Sequence, residues 1–155
     1  VAVTYDPSTN LLYFTGKAPN DQLIIIATDL SLVIQHEYVI DIDNFSNSSE
    51  TGKSIKVDNA ELIIWGDIKQ GGFNSSVDRI FMTKYQLPFP VGGTPVNIVN
   101  KIYDLPGGNE EVSEFFVDVN GEYVVGGTSS LSLLSSGTPS NARPFLLKTE
   151  SHSKI

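Results

Sequence analysis

One pattern, written three times along the chain, limits what it can fold into more than any other feature. Residues 1–16 (VAVTYDPSTNLLYFTG), 54–66 (SIKVDNAELIIWG) and 114–127 (EFFVDVNGEYVVGG) share one order. An apolar run ends in Asp, a short turn follows, and a second apolar run closes on Gly. Asp6, Asp58 and Asp118 correspond, as do Gly16, Gly66 and Gly127. Behind each glycine come a polar stretch and a third apolar run, at residues 23–29, 79–85 and 144–150. A fourth run, at 33–41 and 96–104, completes the first two units. A repeat of this kind is a small unit that buries its apolar faces only by stacking on its neighbours. The recurring Asp is a turn device, because its carboxylate accepts hydrogen bonds from backbone amides of its own turn.

The residues within the runs decide between strand and helix. Ile and Val occur 14 times each against 5 Ala, a balance that suits a pleated surface and not a helix. The 13 Gly and 8 Pro punctuate the runs, and no window carries an unbroken i, i+3, i+4, i+7 apolar stripe. The expectation is an all-β chain of four-stranded antiparallel units at approximately 1–43, 53–104 and 112–155, the last incomplete. The alternative is a β-sandwich with regularly spaced turns.

Four-stranded antiparallel units in series resemble the blades of β-propellers. Gly126-Gly127 after Tyr123-Val124-Val125 resembles the double-glycine strand of kelch-like blades, and Tyr5-Asp6-Pro7 resembles the turn that follows their tyrosine strand. Residues 119–128 (VNGEYVVGGT) and 145–150 (FLLKTE) are also similar to repeats of bacterial secreted propellers. The first two units depart from the double glycine, with Thr15-Gly16 and Trp65-Gly66 in its place. The resemblance implies a partial β-propeller of about three blades, too few to close a ring. The chain opens on Val1 although its only methionine is Met82. It therefore reads as part of a longer protein, the ring to be completed by further blades or by self-association.

Charge and side-chain chemistry remove whole classes of function. The net charge is -8, with 10 Lys+Arg against 18 Asp+Glu, the wrong sign for nucleic acid or an anionic membrane surface. No apolar run is long enough for membrane insertion as a helix. With no cysteine, thiol chemistry, disulfides and cysteine-ligated zinc are excluded. Gly71-Gly72, Gly92-Gly93 and Gly107-Gly108 are not followed by the Lys-Ser/Thr of a phosphate loop. Asp41-Ile42-Asp43-Asn44 opens like a calcium loop. Phe45 then replaces an oxygen ligand, Ser46 the turn glycine and Gly52 the bidentate glutamate, so it is not an EF-hand. His36 alternates between Gln35 and Glu37 and is expected to face solvent. Asn44, Asn47 and Asn74 each begin an N-x-Ser sequon, an acceptor only in a glycosylating secretory context.

Connection lengths indicate where a ligand would bind. Polar stretches at 17–22, 67–78 and 128–143, and those between units at 42–53 and 105–111, leave a four-stranded meander on the same side. That loop face would carry Asp67, Gln70, Phe73, Asn74, Asp78, Asn109, Glu110 and Glu111, with Asp41, Asp43, Glu50 and Phe45 beside them. Carboxylates and amides around an aromatic ring suit a glycan. No cofactor is required, although so many oxygens also suit calcium. No catalytic residues emerge, since Glu110-Glu111 are neighbours on one segment and do not span a sugar. The expected function is a non-enzymatic, extracellular or cell-surface propeller segment that binds a protein or glycan. The alternatives are part of a propeller glycosidase or lyase, or a structural segment of a surface filament.

Overall fold

The computed structural model describes residues 1–44, 48–70, 77–105, 109–130 and 142–149. All regular structure among them is β. Strands β1 (Ala2–Asp6), β2 (Leu11–Lys17), β3 (Leu23–Thr28) and β4 (Ile34–Ile40) form the first sheet in chain order. Strands β5 (Ser48–Asp58), β6 (Glu61–Gln70), β7 (Val77–Gln86) and β8 (Asn97–Tyr103) form the second. Strands β9 (Asn109–Val117), β10 (Tyr123–Ser130) and β11 (Ala142–Thr149) form the third. Every pairing is between sequence neighbours and antiparallel, so each sheet is a simple meander.

The sheets stack face to face, and the period-2 alternation of β6 explains how. Leu62, Ile64 and Ile68 point to one core, which they share with Tyr13, Leu23 and Ile25 of the first sheet. Ile63 and Trp65 point the other way, into a second core with Phe115, Tyr123 and Val125 of the third sheet. A strand covered on both faces has no polar side to show, which is why LIIW at 62–65 reads as a continuous apolar run. The outermost strands β4 and β8 alternate between half-buried and exposed residues.

All three sheets place the closing glycine in the same register. Gly16 pairs with Ile24, Gly66 with Phe81, and Gly127 with Phe145. A methyl group on Gly66 would overlap the Thr51 carbonyl oxygen and the Phe81 ring. On Gly127 it would overlap the Glu111 carbonyl oxygen and the Phe145 ring. Each of these glycines lies beside a one-residue bulge in the preceding strand, at Lys53 in β5 and Ser113 in β9. Strand β5 lies across the first sheet and β9 lies across the second.

The tight turns follow their residues. Asp6 accepts hydrogen bonds from the Ser8 amide (2.9 Å) and the Ser8 and Thr9 hydroxyls (both 2.7 Å). Asp118 accepts from the amides of Asn120 (2.8 Å) and Glu122 (3.0 Å). The hairpin between β5 and β6 has only two central residues, Asn59 (φ 49°) and Ala60 (φ 60°). Both therefore occupy the left-handed region that a type I′ turn requires.

Several strands run further than their apolar residues announce. Strand β5 begins at Ser48, β6 continues to Gln70, β7 begins at Val77 and β9 begins at Asn109. Ladder hydrogen bonds persist through polar residues there, so Glu50, Asp67, Asp78, Asn109, Glu110 and Glu111 sit in strands and not in loops. His36 is also placed differently. It is half-buried, stacked on Tyr38 at 6.0 Å and edge-on to Phe89 at 5.9 Å, instead of facing water.

Candidate functional site

Meander topology puts the β2–β3, β6–β7 and β10–β11 connections at one end of the stack, together with the segments that link the sheets. The ionisable groups expected to bind a ligand collect at this end, but burial divides them. Asp67, Glu50 and Glu110 are buried to within 1% of full coverage. The Glu111 side chain is 61% exposed, and that of Asp78 is 13% exposed. Phe73, Asn74 and Phe45 lie outside the described residues, as does the Gln70 side chain.

Asp67 ties two sheets together. Its Oδ1 accepts a hydrogen bond from the Val112 amide of β9 at 2.7 Å, and Lys53 Nζ lies 3.1 Å from its Oδ2. Lys53 reaches this place because the bulge turns its side chain out of the ladder. The same ammonium meets Glu111 at 2.5 Å. Burial pushes the Asp67 carboxyl above its usual range, and the Val112 amide and Lys53 only partly offset this. Burial also opposes the Lys53 charge, but the bonds to Glu111 and Asp67 outweigh it and hold its pKa above the ordinary value.

Glu50 and Glu110 occupy equivalent positions, each two residues before the residue that faces a closing glycine. Their surroundings differ. Glu50 accepts hydrogen bonds from the Leu23 and Ile42 amides, both at 3.3 Å, and from the Ser48 hydroxyl at 3.3 Å. It thus fastens β3, the linking segment and β5 to one another. Burial, then the nearby charges of Asp41 and Asp43, raise its pKa. One ligand oxygen from each of Asp41, Asp43 and Glu50 falls within 4.8 Å of the others. The meander folds Asp41 and Asp43 back beside Glu50, so an EF-hand spacing is not needed to bring them together.

Glu110 has no such fastening. Among the described residues no other residue donates a hydrogen bond to either of its oxygens, nor to the buried Asp78 Oδ1 and Asn109 Oδ1. Burial, then the charges of Asp104 and Asp78, push its pKa up to about 7, with Arg79 pulling the other way. Arg79 Nε is itself 3.5 Å from Asp104 Oδ2.

Two further residues carry structural chemistry that sequence reasoning did not single out. Lys84 is wholly buried between the second and third sheets, 3.0 Å from Glu61 and 5.0 Å from the centre of the Tyr123 ring. Its signal was visible as a lysine at an inward position of an apolar alternation, RIFMTKY. Burial opposes the charge, but the bonds to Tyr123 and Glu61 prevail and raise its pKa. Arg79, the cation beside Glu110, gave no signal in the sequence because its partner Asp104 comes from another strand end. Among the described residues no helix is long and apolar enough to cross a membrane. No known protein-family model matches the chain, and no curated protein matches it.

Proposed function

We propose that this chain is a segment of a β-propeller-like scaffold whose loop end binds a partner without catalysis. The observation that carries this reading is the repetition of one sheet design, each copy laying its bulged first strand across the sheet before it. The second and third sheets each pack a closing glycine against an aromatic ring and a carbonyl of the same sheet, beside a bulged first strand that lies across the sheet before it. Repeating a single sheet-to-sheet step is how blades are arrayed. The outer faces fit this reading as well. Val3 (54% exposed), Tyr5 and Val39 lie with Leu12, Phe14, Ile24 and Ile26 on the far face of the first sheet, an apolar surface suited to a further blade.

Binding is favoured over turnover because the buried carboxylates Glu50 and Asp67 are occupied with backbone amides and a lysine, and so are not free for proton transfer. The surface left for contact at this end is acidic, with Glu111 and Asp104 outermost. It suits a basic protein segment or a polyhydroxylated glycan, in keeping with an extracellular or cell-surface role. Printed glycan and peptide arrays test the reading. A retained ligand should be lost from Glu111→Lys/Asp104→Lys and kept by Val119→Lys at the opposite end. No retained ligand, or equal loss from both variants, would overturn it.

A further inference from the structure

We propose that a second copy of this chain packs its first sheet against the outer face of the third, repeating between molecules the step that stacks the sheets within one. The proposal rests on the repeat reading above, but not on any ligand at the loop end. Each second strand presents two faces, fixed by distance from its closing glycine. Positions two and four before the glycine are Ile64 and Leu62 in β6, and Val125 and Tyr123 in β10. These lead toward the sheet before: Ile64 and Leu62 share a core with Tyr13, and Val125 and Tyr123 share one with Ile63 and Trp65. The latter three stand one or three positions before their own glycines and receive the sheet after. Both internal steps thus set a leading face on a receiving face.

One leading and one receiving face stay open. Strand β2 carries Leu12 and Phe14 at its leading positions, with Val3 and Tyr5 beside them on β1 and Ile24 and Ile26 on β3. None of these six is buried, and Val3 and Tyr5 are 54% and 45% exposed. In the third sheet the receiving positions are Val124 and Gly126, flanked by Phe116 (52% exposed) and Leu146 (75% exposed). Large apolar side chains grouped on an outer face mark an interaction surface.

The open faces also match each other in detail. On the receiving face of the second sheet, Lys84 pairs with Glu61 and lies 5.0 Å from the centre of the Tyr123 ring, which covers it. Lys148 and Glu122 stand at the same two positions of the third sheet and pair likewise, but the Lys148 side chain is 50% exposed. Tyr5 is the tyrosine available to cover it, since it faces Leu12 across the ladder as Val117 faces Tyr123. Size is complementary too. The core between the second and third sheets combines bulky Trp65 with the smaller Val125. At the open faces Gly126 takes the place of Trp65, and Phe14 that of Val125. A methyl group on Gly126 would meet nothing within 4 Å, so a ring can fill the space that the missing indole leaves. The two matching faces lie at opposite ends of one chain, and a second copy therefore supplies them head to tail.

Sedimentation velocity is the test. The mean mass of the parent chain should rise with concentration between about 10 µM and 1 mM. Val3→Glu/Val39→Glu charges the leading face and Phe116→Glu/Leu146→Glu the receiving one. All four positions are exposed, so both variants should keep the thermal midpoint of the dilute parent. Each alone should stay monomeric. Their equimolar mixture should form a one-to-one dimer, because each variant retains the face that the other has lost. The milder Leu146→Ser should weaken assembly at least about tenfold.

Four results would each overturn the proposal: a parent that stays monomeric, a face variant that still assembles alone, a mixture that remains monomeric, or Leu146→Ser assembling as the parent does. Assembly of one face with itself would give the second of these, since the variant with that face intact would then pair alone. The measurement contains no ligand, so its failure is distinct from an empty glycan or peptide array.

Discussion

At the scale of the residue, several positions carry a backbone or electrostatic demand that a single substitution can expose. Ala60 occupies the left-handed region with φ 60°, where glycine is at ease and alanine is not. Ala60→Gly should therefore stabilise the protein by about 0.5–1 kcal/mol in urea unfolding, whereas the same change at Ala27, a buried strand position, should destabilise it. Glu50→Ala would strand the Leu23 and Ile42 amides and should cost about 2–4 kcal/mol. Glu110→Ala strands no amide and should cost clearly less, which the same unfolding series would reveal. Only part of this was legible beforehand. The Asp turns followed from residue chemistry alone, because the carboxylate and the amides it binds are at most four positions apart. The roles of Glu50 and Glu110 were not legible, because their partners come from strands that only the fold brings near.

At the scale of the element, strand identity was clear wherever apolar residues recurred and blurred where they stopped. Strands β5, β6 and β9 extend through Glu50, Asp67 and Glu110, since ladder bonding depends on the backbone while the sequence pattern records only the side chains. That difference moved Glu50, Asp67, Asp78, Asn109, Glu110 and Glu111 from expected loops into strands and changed Asp67 from a ligand candidate into a tie between sheets. The double glycine of β10 also separates into two unlike positions. A methyl group on Gly126 would meet nothing within 4 Å, while on Gly127 it would strike a carbonyl and a ring. Gly127→Ala and Gly66→Ala should each lower stability by about 1–3 kcal/mol or more through overpacking. Gly126→Ala should be neutral or mildly stabilising, since glycine weakens a strand interior. Thermal unfolding of the three variants side by side gives the comparison directly.

At the scale of the whole molecule, the buried carboxyls and the surface ion pairs set opposite responses to pH. Glu110 is raised to about 7 from an ordinary 4.5. Its protonated form therefore favours the folded state, a contribution full below about pH 4.5 and lost as pH rises through about 7. Asp118 is lowered from 3.8 to about 2, first by its bond to Lys148, so its contribution is present above about pH 4 and lost in stronger acid. The thermal midpoint should be higher near pH 5 than near pH 8, and Glu110→Gln should flatten part of that slope, Glu50 and Asp67 acting in the same direction. The twin environments of Gly66 and Gly127 also bear on how such a chain could grow. A sheet design that works twice in the same register is a solved problem that copying alone can reuse. Tandem duplication of residues 48–103 should then add one sheet without disturbing the rest. Sheet number would become a matter of gene length, leaving each connection at the loop end free to diverge by itself.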